Sequence, residues 1–266
     1  MKIFYYVHTG HRIGLDRFRR AVAILNAIKD ECDITLLCSD FRIAQIAKDF
    51  GIDKAVGIDV VRNIPQITHY RDKLIFDSDE ANPIMLEDMK NYFSTFIQIK
   101  SNDVFIDAKY FEKEEKSVKI SYFFGDDDYE KDLEKNLSFV EDLNPYLQLG
   151  FYYFLDYEDI LKEKFPNYFE FEDYDEMIKK TDILITASPQ AVLENLASGG
   201  RPIYIKREDY TLNFDELFTN LNIPIIKNYN KNDLSVVLNR LNDYNYKLVS
   251  QNSNKLDKLI KETLIL

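Results

Sequence analysis

The feature that most constrains the fold of this chain is an alternation of short apolar segments with amphipathic ones, which starts twice. Residues 3–7 form an apolar segment of strand length, and apolar side chains then recur at helical spacing. After the charged segment 109–116, a new apolar segment covers residues 118–124. Strands that alternate with helices predict parallel sheets, and the second start predicts a second sheet. We therefore expect an α/β protein of two domains, residues 1–113 and 114–266.

Composition and charge argue against several classes of function. The 266 residues carry a formal net charge of −12, whereas a protein that binds nucleic acid usually presents a basic face. The sequence shows no apolar stretch long enough to cross a membrane and no signal-peptide pattern. Cys32 and Cys38 lack the spacing of a zinc site. We therefore predict a cytoplasmic protein with free thiols, no metal, no cofactor and no nucleic-acid partner.

The loop after the first predicted strand has the composition of a phosphate-binding loop. It runs from His8 to Arg17, contains Gly10 and Gly14, and leads directly into a predicted helix. In α/β proteins such a loop brings unpaired N–H groups and the positive end of a helix close to an anion. The glycine spacing matches neither the dinucleotide fingerprint nor the P-loop. The loop therefore indicates a ligand site without identifying the ligand.

Two arginines and two histidines add specific chemistry to this loop. Arg17 and Arg20 lie three residues apart on one helix face, at a helix start where cations are unfavourable unless an anion is bound. They either contact a ligand or pair with nearby carboxylates, and the sequence leaves both alternatives open. His8 and His11 are two of the three histidines in the chain. Since histidine can act as a general base near neutral pH, both are candidates for proton transfer.

The most informative segment of the second half is 186–194. Ser188 suits the N-cap of a helix and Pro189 suits its first turn, and the small neighbouring residues would let a ligand approach the backbone. Glu194, one turn further along, could accept hydrogen bonds from both hydroxyls of a ribose. It could also be an ordinary acidic residue that complements the helix dipole. On these residues alone, the ordinary role is the simpler interpretation.

Several segments together resemble a known family. They are Ile13-Gly14-Leu15 with Arg20, residues 74–77, residues 122–125, residues 182–188 and residues 194–197. In order and spacing they resemble enzymes of the GT-B architecture, in which two Rossmann-like domains with mostly parallel sheets face each other across a cleft. More narrowly, they resemble the UDP-sugar hydrolases of pseudaminic acid biosynthesis and the N-acetylglucosaminyltransferases of peptidoglycan synthesis. The segments together extend over most of the chain.

The resemblance implies roles for particular residues. The C-terminal domain would bind the nucleotide through Gly125, Ser188, Pro189, Gln190, Ala191 and Glu194, with the diphosphate at 188–191 and the ribose at Glu194. The N-terminal domain would face the sugar or the acceptor, with Gly14, Arg17 and Arg20 as substrate-binding residues and Asp77 as a catalytic residue. Hydrolysis would be the attack of a water molecule whose proton is taken by a base in the glycine loop.

The chain departs from the family pattern in two ways. The hydrolases have a catalytic histidine just after their Ile-Gly-Leu segment, where this chain has Asp16 and Arg17. Arginine stays protonated and cannot be that base, so the resemblance leaves His11 or Asp16 as the catalytic candidate. The residues after Gly125 are three aspartates, which would repel a diphosphate unless a cation or an arginine intervenes. We expect these aspartates to cap the next helix rather than to bind a metal.

Three functions are compatible with this pattern. The chain is a hydrolase of an activated sugar, a glycosyltransferase, or a non-catalytic relative that binds a sugar nucleotide or a protein partner. UDP is the favoured carrier, and surface-glycan or flagellin-modification biosynthesis is the expected pathway. The missing histidine favours the third function, whereas Arg20, Asp77 and Glu194 at matching positions favour the first two. We therefore expect an enzyme that binds a sugar nucleotide, with the non-catalytic function as the alternative.

Overall fold

The computed structural model describes residues 1–10, 12–100, 102–152, 154, 156–209 and 213–249. These residues form two compact units. Among the described residues, the first unit contains Met1–Ile13 and Arg17–Asp107, and the second contains Gly14–Asp16 and the chain from Ala108 to residue 249. Each unit is an α/β structure built on a parallel sheet, which confirms the predicted fold class.

The sheet of the first unit has the strand order β3-β2-β1-β4-β5. Its strands are β1 (Ile3–Val7), β2 (Ile34–Cys38), β3 (Ala55–Gly57), β4 (Lys73–Asp77) and β5 (Thr95–Gln98). The helices in this part of the chain are α1 (Asp16–Ile28), α2 (Phe41–Ile46), α3 (Ile64–Ile67) and α4 (Pro83–Tyr92), with short 3₁₀ turns at Ala47–Phe50 and Val61–Asn63. Because β1 pairs with both β2 and β4, the strand order reverses between β1 and β4. Open α/β sheets bind ligands at such a reversal, outside the carboxyl ends of the strands.

The core of the first unit explains why its strands are continuous apolar runs. Helices cover both faces of a parallel sheet, so that side chains on both faces are buried. Tyr5 and Tyr6, which are neighbours in β1 and so point to opposite faces, are both fully buried. Tyr6 stacks on Phe76 of β4 with the ring centroids 5.5 Å apart. The aromatic residues that the sequence supplies in β1 and β4 therefore hold the two strands beside the reversal.

The sheet of the second unit has the strand order β11-β10-β9-β6-β7-β8. Its strands are β6 (Val118–Phe123), β7 (Tyr146–Gln148), β8 (Tyr168–Phe169), β9 (Thr181–Thr186), β10 (Ile203–Lys206) and β11 (Ile225–Lys227). Its helices are α5 (Asp132–Lys135), α6 (Tyr157–Lys164), α7 (Tyr174–Lys180), α8 (Pro189–Ala197), α9 (Asp215–Asn220) and α10 (Lys231–Asn239). Short 3₁₀ turns occur at Ala108–Phe111, Leu137–Phe139, Glu141–Leu143, Phe171–Asp173 and Leu241–Asp243. Here the strand order reverses between β6 and β9, which are paired.

The apolar run over residues 104–106 predicts a strand, and the charged segment 109–116 predicts an exposed linker, but the structure contradicts both predictions. Residues 104–106 form no strand, although Phe105 and Ile106 are buried. A short apolar run signals burial and does not by itself distinguish a strand from a buried connection. The segment 109–116 is not a fully exposed linker, because Tyr110 is buried and its hydroxyl donates to the carboxylate of Asp175.

The helix and the strand expected in 129–154 are both much shorter than predicted. Of the helix expected over 129–141, only α5 is α-helical, and 3₁₀ turns follow it. Asn136 ends α5, and its side-chain amide donates to the carbonyl oxygen of Asp132 at 2.8 Å. Asparagine competes with helical hydrogen bonding in this way. The strand expected over 146–154 pairs only over Tyr146–Gln148.

The C-terminal helix is also shorter than predicted within the described residues. The sequence predicts a mostly helical tail over 234–265, whereas α10 ends at Asn239 and a 3₁₀ turn follows at Leu241–Asp243. The rest of that prediction, from residue 250, lies outside the described residues. Cys32 and Cys38 are free thiols, as expected. Every helix that the structure describes is too short or too polar to cross a lipid bilayer.

Candidate functional site

The turn after β9 begins a helix beside the strand reversal of the second unit. Ser188 is the N-cap of α8, as predicted, and its Oγ accepts a hydrogen bond from the backbone N–H of Ala191 at 3.1 Å. Pro189 is the first residue of the helix. The Ser188 hydroxyl donates in turn to Oδ1 of Asp16 at 2.5 Å. The cap therefore has both a fixed position and a carboxylate partner.

Glu194, the predicted ribose-binding residue, is 1% exposed and lies in a buried hydrogen-bond network. One carboxylate oxygen accepts from the Tyr174 hydroxyl at 2.6 Å, and the other accepts from Nε2 of Gln190 at 2.8 Å. Gln190, one turn earlier on α8, was predicted to contact the diphosphate and is also buried. The structure therefore brings Gln190 and Glu194 together on one helix face, and their roles toward a nucleotide remain predictions.

Arg207 lies at the end of β10 and was not identified from the sequence. Its guanidinium contacts the Asp127 carboxylate in two places, with Nη2–Oδ2 at 2.9 Å and Nη1–Oδ1 at 3.2 Å. Both side chains are buried. The arginine that the aspartate-rich loop needs is therefore supplied by a different strand of the same sheet. A signal was present in the sequence, because Arg207 directly follows an apolar strand whose carboxyl end lies next to that of β9.

The pKa values of this pair reflect competition between burial and charge pairing. Burial raises the pKa of Asp127 to about 7, although Arg207 opposes this shift and Asp16 and Asp209 add to it. Gly14 also lies close to Asp127: a Cβ on Gly14 would come within 2.9 Å of Oδ1 of Asp127, and the residue has φ +78°. Both observations require glycine at position 14. Gly125, at φ +135°, opens the loop that carries Asp127.

Asp128 caps α5, as we expected of this aspartate loop. Its carboxylate accepts hydrogen bonds from the backbone N–H groups of Asp132 at 2.6 Å and Leu133 at 3.1 Å. The Tyr157 hydroxyl also donates to it at 2.5 Å. Burial raises the pKa of Asp128, against the lowering effect of these hydrogen bonds. Asp128 therefore has a structural role in fixing the start of α5.

In the first unit, His8 lies just after β1 and is held by a carboxylate. Its Nδ1 is 3.0 Å from Oδ1 of Asp79, which follows β4. Arg17 donates to the same carboxylate oxygen at 2.8 Å, and its Nη1 lies 3.2 Å from Nδ1 of His8. Hydrogen bonds from His8 and Arg17 hold the pKa of Asp79 well below its usual range. Arg17 therefore contacts both His8 and the carboxylate that lies beside His8.

Arg20 and Asp77, both predicted site residues, form a buried ion pair beside this group. Arg20 also donates to the backbone carbonyl oxygens of Lys100 at 3.2 Å and Asp103 at 2.7 Å. The Tyr5 hydroxyl donates to the Asp77 carboxylate at 3.0 Å. Burial and the nearby carboxylate of Asp77 raise the pKa of Tyr5 well above its usual value. The sequence left open whether Arg17 and Arg20 contact a ligand or pair with carboxylates. In the structure both arginines pair with carboxylates. Contact of either arginine with a ligand remains a prediction.

The remaining catalytic candidates occupy different positions. His11 lies outside the described residues. Asp16 belongs to the second unit, where it accepts from Ser188. The structure therefore connects Asp16 with the predicted diphosphate segment. Of the two histidines of the loop, the structure describes His8, and its Nδ1 lies beside the Asp79 carboxylate.

Comparison with known proteins establishes the class of fold. The UDP-GlcNAc 2-epimerase of Methanocaldococcus jannaschii, in complex with UDP-GlcNAc and UDP, aligns with a TM-score of 0.60 at 10% identity over 100% of this chain and 99% of that chain. MurG of Acinetobacter baumannii aligns with a TM-score of 0.51 at 13% identity over 100% of both chains. Heptosyltransferase WaaC of E. coli with ADP aligns with a TM-score of 0.51 at 9% identity over 92% of this chain and 99% of that chain.

These similarities show that the chain has the GT-B type of α/β fold, with two mostly parallel sheets. No family model matches the chain, and no curated protein matches it in sequence. At identities of 9–13% the similarity establishes the fold alone. Function must therefore be argued from the residues at the two strand reversals.

Proposed function

We propose that this protein is an enzyme that binds a nucleotide-linked sugar, with UDP as the favoured carrier, and acts on the activated sugar. The second unit binds the nucleotide, with the diphosphate at 188–191 and the ribose at Glu194, and the first unit supplies the sugar or acceptor chemistry. Three of the structures with a similar fold are described as complexes with UDP-GlcNAc and UDP, with ADP, and with UDP and glucose. Their similarity supports the ligand class and leaves the reaction to the site residues.

The observation that carries the proposal of an enzyme is the contact between His8 and Asp79. In the tautomer that donates Nδ1–H to Asp79, the lone pair of His8 lies on Nε2, which is the arrangement of a carboxylate-oriented general base. A second carboxylate, that of Glu80, lies 3.9 Å from Nε2. The His8 side chain is 18% exposed, so that it is held in place without being sealed off from solvent. This contact is the reason for assigning proton transfer to His8.

The proposed reaction is base-assisted substitution at the anomeric carbon of the sugar. His8 Nε2 takes the proton of an O–H nucleophile as its oxygen bonds to that carbon. The bond from the carbon to the diphosphate oxygen breaks, and the electron pair leaves with UDP. Water as the nucleophile makes the protein a hydrolase, and an acceptor hydroxyl makes it a glycosyltransferase. A hydrolase in surface-glycan or flagellin-modification biosynthesis is the narrower form of this proposal, and it rests on the sequence resemblance.

The test is the release of UDP from a panel of UDP-sugars by the full chain, measured with and without sugar acceptors. Release without an acceptor identifies a hydrolase, and release that requires an acceptor identifies a glycosyltransferase. Saturable binding without any release would contradict the proposal of an enzyme and would support the non-catalytic alternative.

A further inference from the structure

Arg207 holds two aspartates in different ways. Asp127 receives three of its hydrogen bonds, two at the carboxylate and one, at 3.1 Å, at the backbone carbonyl oxygen. Asp209 receives two, with Nε–Oδ1 at 3.0 Å and Nη2–Oδ2 at 2.6 Å. These bonds involve all three guanidinium nitrogens of Arg207. The pair with Asp209 has the parallel, two-pronged geometry that arginine also uses for phosphate.

The two aspartates differ in how readily they can be exchanged. The side chains of Arg207 and Asp127 are 6% and 7% exposed, whereas that of Asp209 is 53% exposed. The Arg207 guanidinium also lies over the ring of Phe124, 4.6 Å from its centroid, which fixes its plane. Asp127 is therefore a permanent anchor for the arginine. Asp209 can turn into solvent without leaving a buried charge behind.

An open cavity lies next to this pair. It has a volume of about 420 Å³. Its wall is formed by two basic residues, by three acidic residues and by three uncharged ones, which are Lys206 and Arg207, Asp132, Glu208 and Asp209, and Asn136, Asn228 and Tyr229. Asn228 and Tyr229 have left-handed backbone conformations, with φ 57° and 46°. Such strained conformations in residues other than glycine concentrate at ligand sites and switch regions. The cavity is large enough for a phosphate-class group to replace the Asp209 carboxylate.

We propose that Arg207 is the residue of the second unit that binds a phosphate-class anion, and that Asp209 occupies the place of this anion when none is bound. On binding, two ligand oxygens accept the N–H groups of Nε and Nη2, and the Asp209 carboxylate moves into water. The two hydrogen bonds from Arg207 to Asp209 are thereby replaced by two hydrogen bonds to the ligand. The identification of the anion as the diphosphate of a nucleotide sugar rests on the proposed function, whereas the site itself does not.

The surrounding charges explain why this arginine is needed. The loop after β6 carries Asp126, Asp127 and Asp128. Asp128 already accepts hydrogen bonds from the start of α5. Lys206, the neighbour of Arg207, is paired with Asp215. Arg207 is therefore the group through which an anion gains a charge-assisted contact at this sheet edge, and release of Asp209 removes one competing negative charge.

The test is calorimetric titration of the full chain with inorganic pyrophosphate and, separately, with UDP. Asp209→Asn removes the competing carboxylate, and we expect it to bind pyrophosphate about five-fold more tightly. Arg207→Lys loses the two-pronged geometry, and we expect affinity to fall about ten-fold or more. Asp182→Asn is the matched control, because Asp182 accepts from Arg201 in the same way, at 2.9 and 2.7 Å, at the opposite end of β9. It should leave both affinities unchanged.

The outcomes separate this inference from the proposed function. If Asp209→Asn binds pyrophosphate no more tightly than the unmodified protein, the inference is wrong, and Asp209→Asn is an exposed change that should fold normally. Pyrophosphate binding that is indifferent to Arg207→Lys in a folded protein also overturns the inference, and it leaves the nucleotide proposal standing if UDP still binds. Pyrophosphate binding that depends on Arg207, without UDP binding, supports the inference and contradicts the nucleotide proposal.

Discussion

Arg20 and Asp77 form a two-pronged ion pair in the first unit, with Nε 3.0 Å from Oδ2 and Nη2 2.5 Å from Oδ1. Their side chains are 5% and 1% exposed. A buried pair of this kind contributes little net stability as a pair, but the removal of one partner leaves an uncompensated charge. β4 ends at Asp77, and α1 contains Arg20. The pair therefore joins the strand that leads to Asp79 with the helix that carries Arg17, and both of these residues contact His8.

The first prediction concerns this pair. Arg20→Met should lower the free energy of unfolding by about 3–5 kcal/mol, because it leaves the Asp77 carboxylate buried without its cation. Urea denaturation measures the change. Lys54→Met is the control, since Lys54 and its partner Asp33 are 56% and 77% exposed, and a surface pair is worth less than about 1 kcal/mol. Similar losses in the two variants would contradict the structural role of the Arg20–Asp77 pair.

The second prediction concerns the proposed base. His8→Gln should slow UDP release by about 100-fold or more, because it removes the group that takes the proton. Asp79→Asn should slow it by a smaller factor, because Asp79 orients His8 and does not itself receive the proton. His69→Gln is the matched control: this histidine is 81% exposed and should be replaceable without effect. An unchanged rate in His8→Gln would remove His8 from catalysis.

The third prediction separates the structural and ligand-binding roles of Glu194. Glu194→Gln puts an amide N–H₂ opposite one of the two donors, Tyr174 or Gln190, and it should destabilise the protein by about 1–3 kcal/mol. If Glu194 also contacts the ribose, this variant should bind UDP more weakly. Tyr174→Phe removes one donor and keeps the carboxylate, so that it should cost about 1 kcal/mol and leave UDP affinity unchanged. Equal losses of UDP affinity in both variants would leave Glu194 with a structural role only.

The fourth prediction is a pH dependence of stability that comes from Lys116. Its Nζ donates to the carbonyl oxygen of Lys179 and to Oγ of Ser198, and burial lowers its pKa from 10.5 to about 8. Between about pH 8 and pH 10.5, the unfolded chain therefore binds more protons at this residue than the folded protein does. Stability should thus gain a contribution that rises with pH in this range.

Comparison of two lysine variants isolates this contribution. Chemical denaturation at several pH values should show that Lys116→Met loses the rising contribution relative to the unmodified protein. Lys119→Met should keep it, because Lys119 is 71% exposed. Identical pH dependence in Lys116→Met and the unmodified protein would show that Lys116 titrates alike in the folded and unfolded states.

The sequence predicted the elements whose signals are local. The bounds of β1 and of α6 at Tyr157–Lys164 agree with those expected from the apolar pattern, and Ser188 caps α8 as its residue type indicates. Each of these depends on neighbouring residues, so that local rules are sufficient. Residues 104–106 are the counter-example. Phe105 and Ile106 are buried by tertiary contacts without forming a strand, and the local apolar pattern does not distinguish these two cases.

The site contacts that sequence reasoning missed connect residues that are far apart along the chain. Arg207 and Asp127 are 80 positions apart, and His8 and Asp79 are 71 positions apart. The sequence indicated that three aspartates beside a diphosphate would repel it unless a cation or an arginine intervenes, but the strand that precedes this arginine follows only from the order β10-β9-β6. His8 was one of two candidate histidines in the loop. The carboxylate that contacts it lies after β4, which pairs with β1 in the folded sheet.

Calorimetric titration with UDP and UDP-N-acetylglucosamine, with CMP and GDP as controls, tests the central claim most directly. The claim is that the second unit of this GT-B fold binds a UDP-linked sugar. We expect saturable binding of both uridine ligands and weaker binding of the two controls. A folded protein that shows no saturable heat with any of the four nucleotides would contradict the claim.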